Sequence, residues 1–428
     1  MADVVADAAE DTAASLSAQF ARRRWWLLGL VIVAGILNLV DRQVISVLKP
    51  LIEVDLHWTD ADYGKLASLF QLSAALAYLG VGLIVDRLGV KWATPAGVAA
   101  WSVAAMAHGW ATTLGQFSVA RIALGATESM GTPSFVKTLG GVFSARTRSL
   151  AFGFSNGVSS IGAIVTPLFL PLMAVGFGWR GSFIFVGALG LAWVAVWLAV
   201  TRGMAFAKAP PSAARPSLRG LKVLLGDRRT WGIAGAKVLS DQVWWLLLFW
   251  APDFFHRVFG VGVADLGPPL AIAYLGSAIG SVAAGWAGTR LLAMGYSLNT
   301  VRKSVMLVCA LMVTTIPLAL QTHNLWIAAG LLAVTLAGHQ GFSVSIFSTI
   351  VDITPTSRVG TVTSFGAFCG NLAGMGIVFL AGQILTAHLG YAPLLAIAAV
   401  SYLLGLAWLH LWVPRLTPTA GEESLAAT

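Results

Sequence analysis

Six ionisable residues of this 428-residue chain sit where charge is costly. Asp41 and Arg42, Arg121 and Glu128, and Lys237 and Asp241 all fall inside long apolar runs. On insertion scales such a residue costs roughly 2.5–3.5 kcal/mol at the centre of a membrane span, so it marks a functional site by default. A guanidinium grips a carboxylate through two parallel hydrogen bonds, which makes Arg42 and Arg121 candidate carboxylate binders. Each could instead form a plain ion pair with an acid on a neighbouring helix. Burial disfavours the charged form of an acid, so Asp41 and Glu128 are candidates to take up and release a proton. Their alternative is a permanent salt bridge to Arg42, Arg121 or Lys137. Glu128 follows Arg121 by two helical turns on one face. Adjacent residues of a helix point about 100° apart, so Asp41 and Arg42 need not pair. Lys237 and Asp241 stand at i, i+4, where they can neutralise each other or exchange partners as a cavity opens.

These residues must be carried by membrane-spanning helices. Hydrophobic residues make up 57% of the chain and charged residues 11%, with a mean hydropathy of +0.80. A soluble domain usually carries about 25% charged residues, so an ordinary cytosolic enzyme, a disordered chain and a disulfide scaffold are all excluded. The pattern predicts an all-α polytopic membrane protein with twelve transmembrane helices at 25–48, 63–85, 92–110, 114–141, 149–173, 181–201, 231–252, 266–288, 304–321, 325–350, 359–384 and 392–413. Residues 1–21 are acidic and Ala-rich, read as a disordered tail, and lack the basic start of a secretory signal. The expected domains are a tail (1–24), a six-helix bundle (25–201), a basic central loop (202–230), a second bundle (231–413) and a second tail (414–428).

Charge placement predicts orientation. Of the 27 Lys and Arg, 20 fall on one side when the N-terminus is inside. Lys49, Lys65, Arg180 and Arg257 fall on the other. The positive-inside rule then puts both termini of a multi-pass membrane protein in the cytoplasm. No aromatic-basic motif accompanies the net charge of +9, so no nucleic-acid partner is expected. Cys309 and Cys369 lie in apolar runs and read as buried hydrophobes, not as a disulfide or metal pair.

The halves also repeat. Gly82-Leu-Ile-Val-Asp86-Arg87-Leu-Gly89-Val-Lys91 follows the second helix, and Gly285-Trp-Ala-Gly-Thr289-Arg290 follows the eighth. Arg148 before helix 5 matches Arg358 before helix 11. Parallel six-plus-six repeats place a binding site between two bundles near the midplane.

The segment from Gly82 to Lys91 resembles the loop 2–3 signature of the major facilitator superfamily. That resemblance makes Asp86, Arg87 and Lys91 a conformational latch, weaker in the second copy where Thr289 replaces an acid. A narrower resemblance rests on Asn38 with Asp41-Arg42, Arg121 with Gly125, Glu128, Pro133 and Lys137, Gly153 with Asn156, and Ile161-Gly-Ala163. Lys237 with Asp241 and Trp244-Trp245, and His339-Gln340-Gly with Asp352 and Pro355, add to it. The chain is similar to the anion:cation symporters, in particular the hexuronate and sugar-acid transporters.

The resemblance implies a secondary transporter, not an enzyme, that imports an organic anion by proton symport through alternating access. It implies no cofactor beyond a coupling ion, expected to be H+, and a monomer surrounded by lipid. Glu128 and Asp41 become the proton-coupling residues and Arg42 and Arg121 the carboxylate ligands. Lys137, Lys237 and Asp241 are gating or structural. Gln71, Tyr78, Asn156, Gln340, Ser343 and Asn371 are the expected further ligands. Ser160, Gln242, His339 and Ser345 complete the polar lining, though any one of these is more often a helix–helix hydrogen bond. Trp244, Trp245 and Trp250 either stack on a sugar face or pack. The departures are Ala74 and Tyr78 on helix 2 and Ser160 on helix 5, all at cavity positions. The alternative function is a proton-coupled exporter of a metabolite or drug, disfavoured because helix 5 lacks the Gly-Pro-x2-Gly-Gly segment of antiporters.

Overall fold

The computed structural model describes residues 2–143, 155, 161–204, 206, 224–354 and 358–417. Fourteen α-helices are assigned among them: α1 (Ala2–Val47), α2 (Lys49–Leu56), α3 (Asp60–Tyr78), α4 (Val81–Leu88), α5 (Val90–Trp110), α6 (Leu114–Glu128), α7 (Gly131–Val142) and α8 (Ile161–Val200), then α9 (Arg228–Phe259), α10 (Gly267–Ala293), α11 (Leu298–Val313), α12 (Leu325–Ile353), α13 (Val359–Thr386) and α14 (Ala392–Trp412). Among the described residues seven helical segments are long and apolar enough to cross a membrane, or eight if the bent pair α3 and α4 is one span. The protein is all-helical and multi-pass. Apolar side chains such as Leu172, Val175, Val282 and Leu411 stand exposed on its outer faces, a surface that suits lipid rather than water.

Local chemistry sets the helix ends. Thr59 caps α3 reciprocally: its hydroxyl accepts from the Asp62 amide at 3.1 Å, and Asp62 accepts from the Thr59 amide at 3.0 Å. The Asp227 carboxylate accepts from the Arg229 amide and starts α9, which Gly260 ends at φ 68°. Along α8 only Gly178, at φ 68° and ψ 173°, leaves helical geometry. A 40-residue helix would measure about 60 Å, twice the hydrocarbon thickness, so this break divides α8 into two legs, where the sequence places two helices.

Three sequence expectations are corrected. Residues 2–21 of the expected tail lie within α1, because their Ala and acidic residues favour a helix start and continue into the apolar run. The helix expected over 63–85 bends by 55° between α3 and α4, at Gly80. The helix expected over 114–141 is interrupted at Ser129-Met130, just before Gly131 and Pro133, and proline cannot continue the hydrogen-bond ladder.

Helices α1 to α8 pack mainly on one another, as do α9 to α14. The two groups meet where α3 lies along α13 and α10 against α8. The approach is backbone-close. A Cβ on Gly64 would stand 3.0 Å from Gly382 Cα and 3.0 Å from the Val378 carbonyl, and one on Gly382 would stand 2.6 Å from the Asp60 carbonyl. Within the second group, Gly276 and Gly280 of α10 leave no room for a Cβ against the carbonyls of Ala333 and Ala337 on α12.

Candidate functional site

A cavity of about 550 Å³ lies between the two helix groups. Its walls come from α1 (Gly35, Asn38, Leu39), α7 (Thr132, Phe135, Leu139), α9 (Lys237, Asp241, Trp244, Trp245), α10 (Tyr274, Ser277), α12 (His339, Gln340, Ser343) and α13 (Asn371). The volume falls within the ~300–1,000 Å³ of small-molecule sites. Lys237 and Asp241 are its charged lining residues among those described, and they pair at 2.8 Å, one turn apart on α9. The i, i+4 spacing therefore forms the pair it allows.

Beside this cavity the charges of the first group converge. Arg42 Nε donates to Glu128 Oε2 at 2.7 Å, joining α1 to α6. Glu128 is fully buried, whereas the Arg42 side chain keeps 15% exposure. The Arg42 guanidinium lies 5.5 Å from the Phe70 ring and 5.7 Å from the Trp245 ring of α9, so it faces the second group. Tyr78 stands close enough to interact with Arg42. Asp41 does not pair with its neighbour, and its Oδ1 has no hydrogen-bond partner among the described residues. Arg121 is wholly buried, with its guanidinium also close to the Phe70 ring, at 4.9 Å. None of its guanidinium nitrogens has a hydrogen-bond partner among the described residues, and neither has the Gln71 amide. Arg121 is thus brought near Glu128 and Asp41, and neither Arg121 nor Gln71 lines the cavity in this conformation.

Gln340, Ser343 and Asn371 do line the cavity, and Asn371 donates to the Ala367 carbonyl at 2.8 Å. Gln242 instead turns to Ser401 on α14 at 3.0 Å, a helix–helix bond. Trp244 and Trp245 line the cavity, while Trp250 is buried against Tyr63 at 4.9 Å. Asn156, Ser160, Gly153, Pro355 and Arg148 lie outside the described residues.

At one end the two groups are locked together. Lys49 Nζ sits 2.6 Å from Glu53, 2.9 Å from Asp60 and 2.6 Å from Asp253 of α9. Burial alone would pull this amine down, but Asp253, then Asp60 and Glu53, hold it above the usual lysine value. Arg257 reaches back to Asp60 at 2.8 Å and to Asp253 at 3.2 Å, and Tyr391 hydrogen-bonds Asp253. Tyr63 donates to the Phe249 carbonyl at 2.7 Å, and Ser68 to the Met375 carbonyl at 3.1 Å. Sequence reasoning missed this cluster. Its local trace is a lysine that follows an apolar run, precedes Pro50 and stands four residues before Glu53; its decisive partner is 204 residues away.

At the other end the polar contacts found among the described residues stay within one group. Asp86 pairs with Lys137 of α7, Lys91 donates to the Met204 carbonyl at 3.0 Å, and Arg302 pairs with Asp352 at 2.8 Å. Arg87 is exposed. Thr289 donates to its own helix at Gly285, so the second copy of the repeat lacks the acid that Asp86 supplies to the first.

Residues 31–376 match the Major Facilitator Superfamily. The chain belongs to this superfamily. Its relatives include the hexuronate transporter of Escherichia coli K12, 26% identical over 405 residues and covering 89% of this chain and 92% of the relative. The probable L-galactonate transporter of the same organism is 27% identical, covering 80% of each chain. The crystal structure of a D-xylose-proton symporter superposes with a TM-score of 0.72 at 13% identity, covering 91% of this chain and 98% of that one, and shows the shared fold. This major facilitator is a transport protein and not an enzyme.

Proposed function

We propose that this major facilitator imports a hexuronate or related sugar acid together with a proton, by alternating access. The observation that carries the reading is the Arg42–Glu128 pair, whose guanidinium lies 5.7 Å from the ring of Trp245 in the cavity wall. A guanidinium suited to a substrate carboxylate is occupied by a carboxylate of the protein itself. Protonation of Glu128 would release Arg42 to the incoming anion, and proton loss would recapture it and expel the anion. Asp41 adds a second acid, whose charge beside Glu128 repels a third carboxylate in a water-poor site. Arg121, Gln71 and Tyr78 complete this side of the site as it opens, and Gln340, Ser343, Asn371 and Asn156 serve as hydroxyl ligands.

In this reading twelve helices cross a bacterial inner membrane with both tails cytoplasmic, as bundles 25–201 and 231–413 joined by the loop 202–230. The protein works as a lipid-embedded monomer. The Lys49 cluster then marks the shut periplasmic face, and the conformation is the inward-open one. The Asp86–Lys137 pair belongs to the latch that forms when the cytoplasmic face shuts, with Arg87 and Lys91. Lys237 and Asp241 keep the cavity neutral and exchange partners on closure.

The test is uptake of radiolabelled D-glucuronate, D-galacturonate and D-galactonate by purified protein in proteoliposomes, at two external pH values, with and without a sodium gradient. Acid-stimulated accumulation of at least one acid is expected. Accumulation driven by sodium alone would replace the proton, and no uptake of any sugar acid would remove the substrate class.

A further inference from the structure

His339 on α12 is held in a single tautomer by its neighbours. Its Nδ1 shares a hydrogen bond with the Tyr402 hydroxyl on α14. That hydroxyl also donates to the Ser240 backbone carbonyl at 2.9 Å. A carbonyl can only accept, and a phenol has one proton to give. The Tyr402 proton therefore goes to Ser240, and the Tyr402 oxygen must accept from His339 Nδ1–H. This leaves Nε2 of the neutral ring unprotonated, an acceptor without a donor. Trp244 stacks on the ring at 5.1 Å and 14°, and Tyr402 meets its edge at 6.1 Å, so the ring plane is fixed as well.

His339 lines the cavity. Its Nε2 makes no hydrogen bond to a described residue, and the ring is part of the cavity wall. Around it Gln340, Ser343 and Asn371 can each donate and accept, and Lys237 can only donate. Among the described uncharged side chains of the lining, His339 is the one that can only accept.

We infer that His339 Nε2 is a specificity-determining acceptor for one hydroxyl of the transported sugar acid, and that Tyr402 is the positioning residue that keeps it unprotonated. The inference rests on the sugar-acid reading. It sorts ligands by chemistry: a group with an O–H at that place is accepted, and one without leaves the imidazole nitrogen unpaired. A site built to hydrogen-bond a hydroxyl rejects analogues lacking it far more strongly than an apolar pocket rejects an extra methylene.

The test uses the full-length protein in nanodiscs and measures affinity for D-galacturonate and for its analogues with one hydroxyl at a time replaced by fluorine. Wild type is expected to bind one analogue about tenfold or more weakly than the parent. His339→Phe keeps a ring for Trp244 and removes the acceptor. It should bind the parent about tenfold more weakly and show no further loss for that same analogue, the signature of a direct pairwise contact. Tyr402→Phe should lose part of this discrimination while keeping the cavity. A second readout does not depend on ligand binding: in 15N-histidine-labelled wild type, the His339 Nε2 signal should fall in the unprotonated range and move towards the protonated range in Tyr402→Phe. A protonated Nε2 in wild type overturns the inference, as does a His339→Phe protein with an unchanged analogue profile. A wild type that binds neither D-galacturonate, D-glucuronate nor D-galactonate overturns the sugar-acid reading itself, and this inference with it.

Discussion

Arg42 Nε meets Glu128 Oε2 at 2.7 Å, so the cation best placed for a carboxylate substrate is held by an internal carboxylate. On the proposed reading the two groups compete, and substrate affinity depends on the state of Glu128. Glu128→Gln should still bind and exchange the anion but fail to concentrate it against a gradient. Arg42→Lys keeps the charge and loses the planar fork, so affinity should fall tenfold or more, about 1.4 kcal/mol. Counterflow and net uptake in the same proteoliposomes check both. A Glu128→Gln protein that accumulates the anion with undiminished proton dependence moves coupling to Asp41 or another cation.

Lys49 is the central cation of the shut face, and its loss leaves Asp253 with Arg257 and Tyr391 as partners. Lys49→Met should therefore loosen that face without unfolding the protein. Spin labels at Val54 and His388, both exposed beside it, should report a longer-distance population increased about tenfold, roughly 1.4 kcal/mol of bias. An unchanged distance distribution would show that the glycine contacts hold the face without the charges.

The pH behaviour of this face has a definite sign. The Lys49 amine is raised, so its contribution is complete below about 10.4 and is lost only as pH rises through the higher folded value. The Arg180 hydrogen bond, aided by Trp179, holds the exposed Asp55 carboxyl below its usual range. That pair is present above about 3.9 and fades as pH falls through the lower folded value. Neither group titrates between pH 5 and 8. The pH–uptake curves of wild type and Lys49→Met should share a midpoint and differ in amplitude, and a displaced midpoint would place a coupling group in the cluster.

The packing of α10 on α12 predicts a stability contrast. A methyl at Gly280 collides with the Ala337 carbonyl, whereas one at Gly330 meets nothing within 4 Å. Gly280→Ala should lower the melting temperature of the detergent-solubilised protein by several degrees, as overpacking costs about 1–3 kcal/mol. Gly330→Ala should be neutral or slightly stabilising. Equal melting temperatures for the two would show that α10 can shift at no cost.

The cavity's charged residues were legible because an ionisable side chain in an apolar run stands out, and because i, i+4 geometry pairs Lys237 with Asp241 regardless of tertiary context. The three-carboxylate cage of Lys49 and the Tyr402 support of His339 were not, since each joins distant helices and spacing along one helix says nothing about the next. For Glu128 the sequence left three salt-bridge partners open, Arg42, Arg121 and Lys137; that Arg42 is the one depends on how the fold places α1 relative to α6. The breaks after Tyr78 and Glu128 escaped because hydropathy stays high through Gly80 and Gly131, and a bend leaves no trace in an average.

The close approach of Gly64 and Gly382 makes the two halves of the chain mutually dependent parts. A hybrid that joins the first half of this protein to the second half of another transporter inherits only one side of that contact. It will shut at this face only where the donor half also brings a residue without a side chain at the place of Gly382. Two halves that each fold well could thus form a transporter held open at one end.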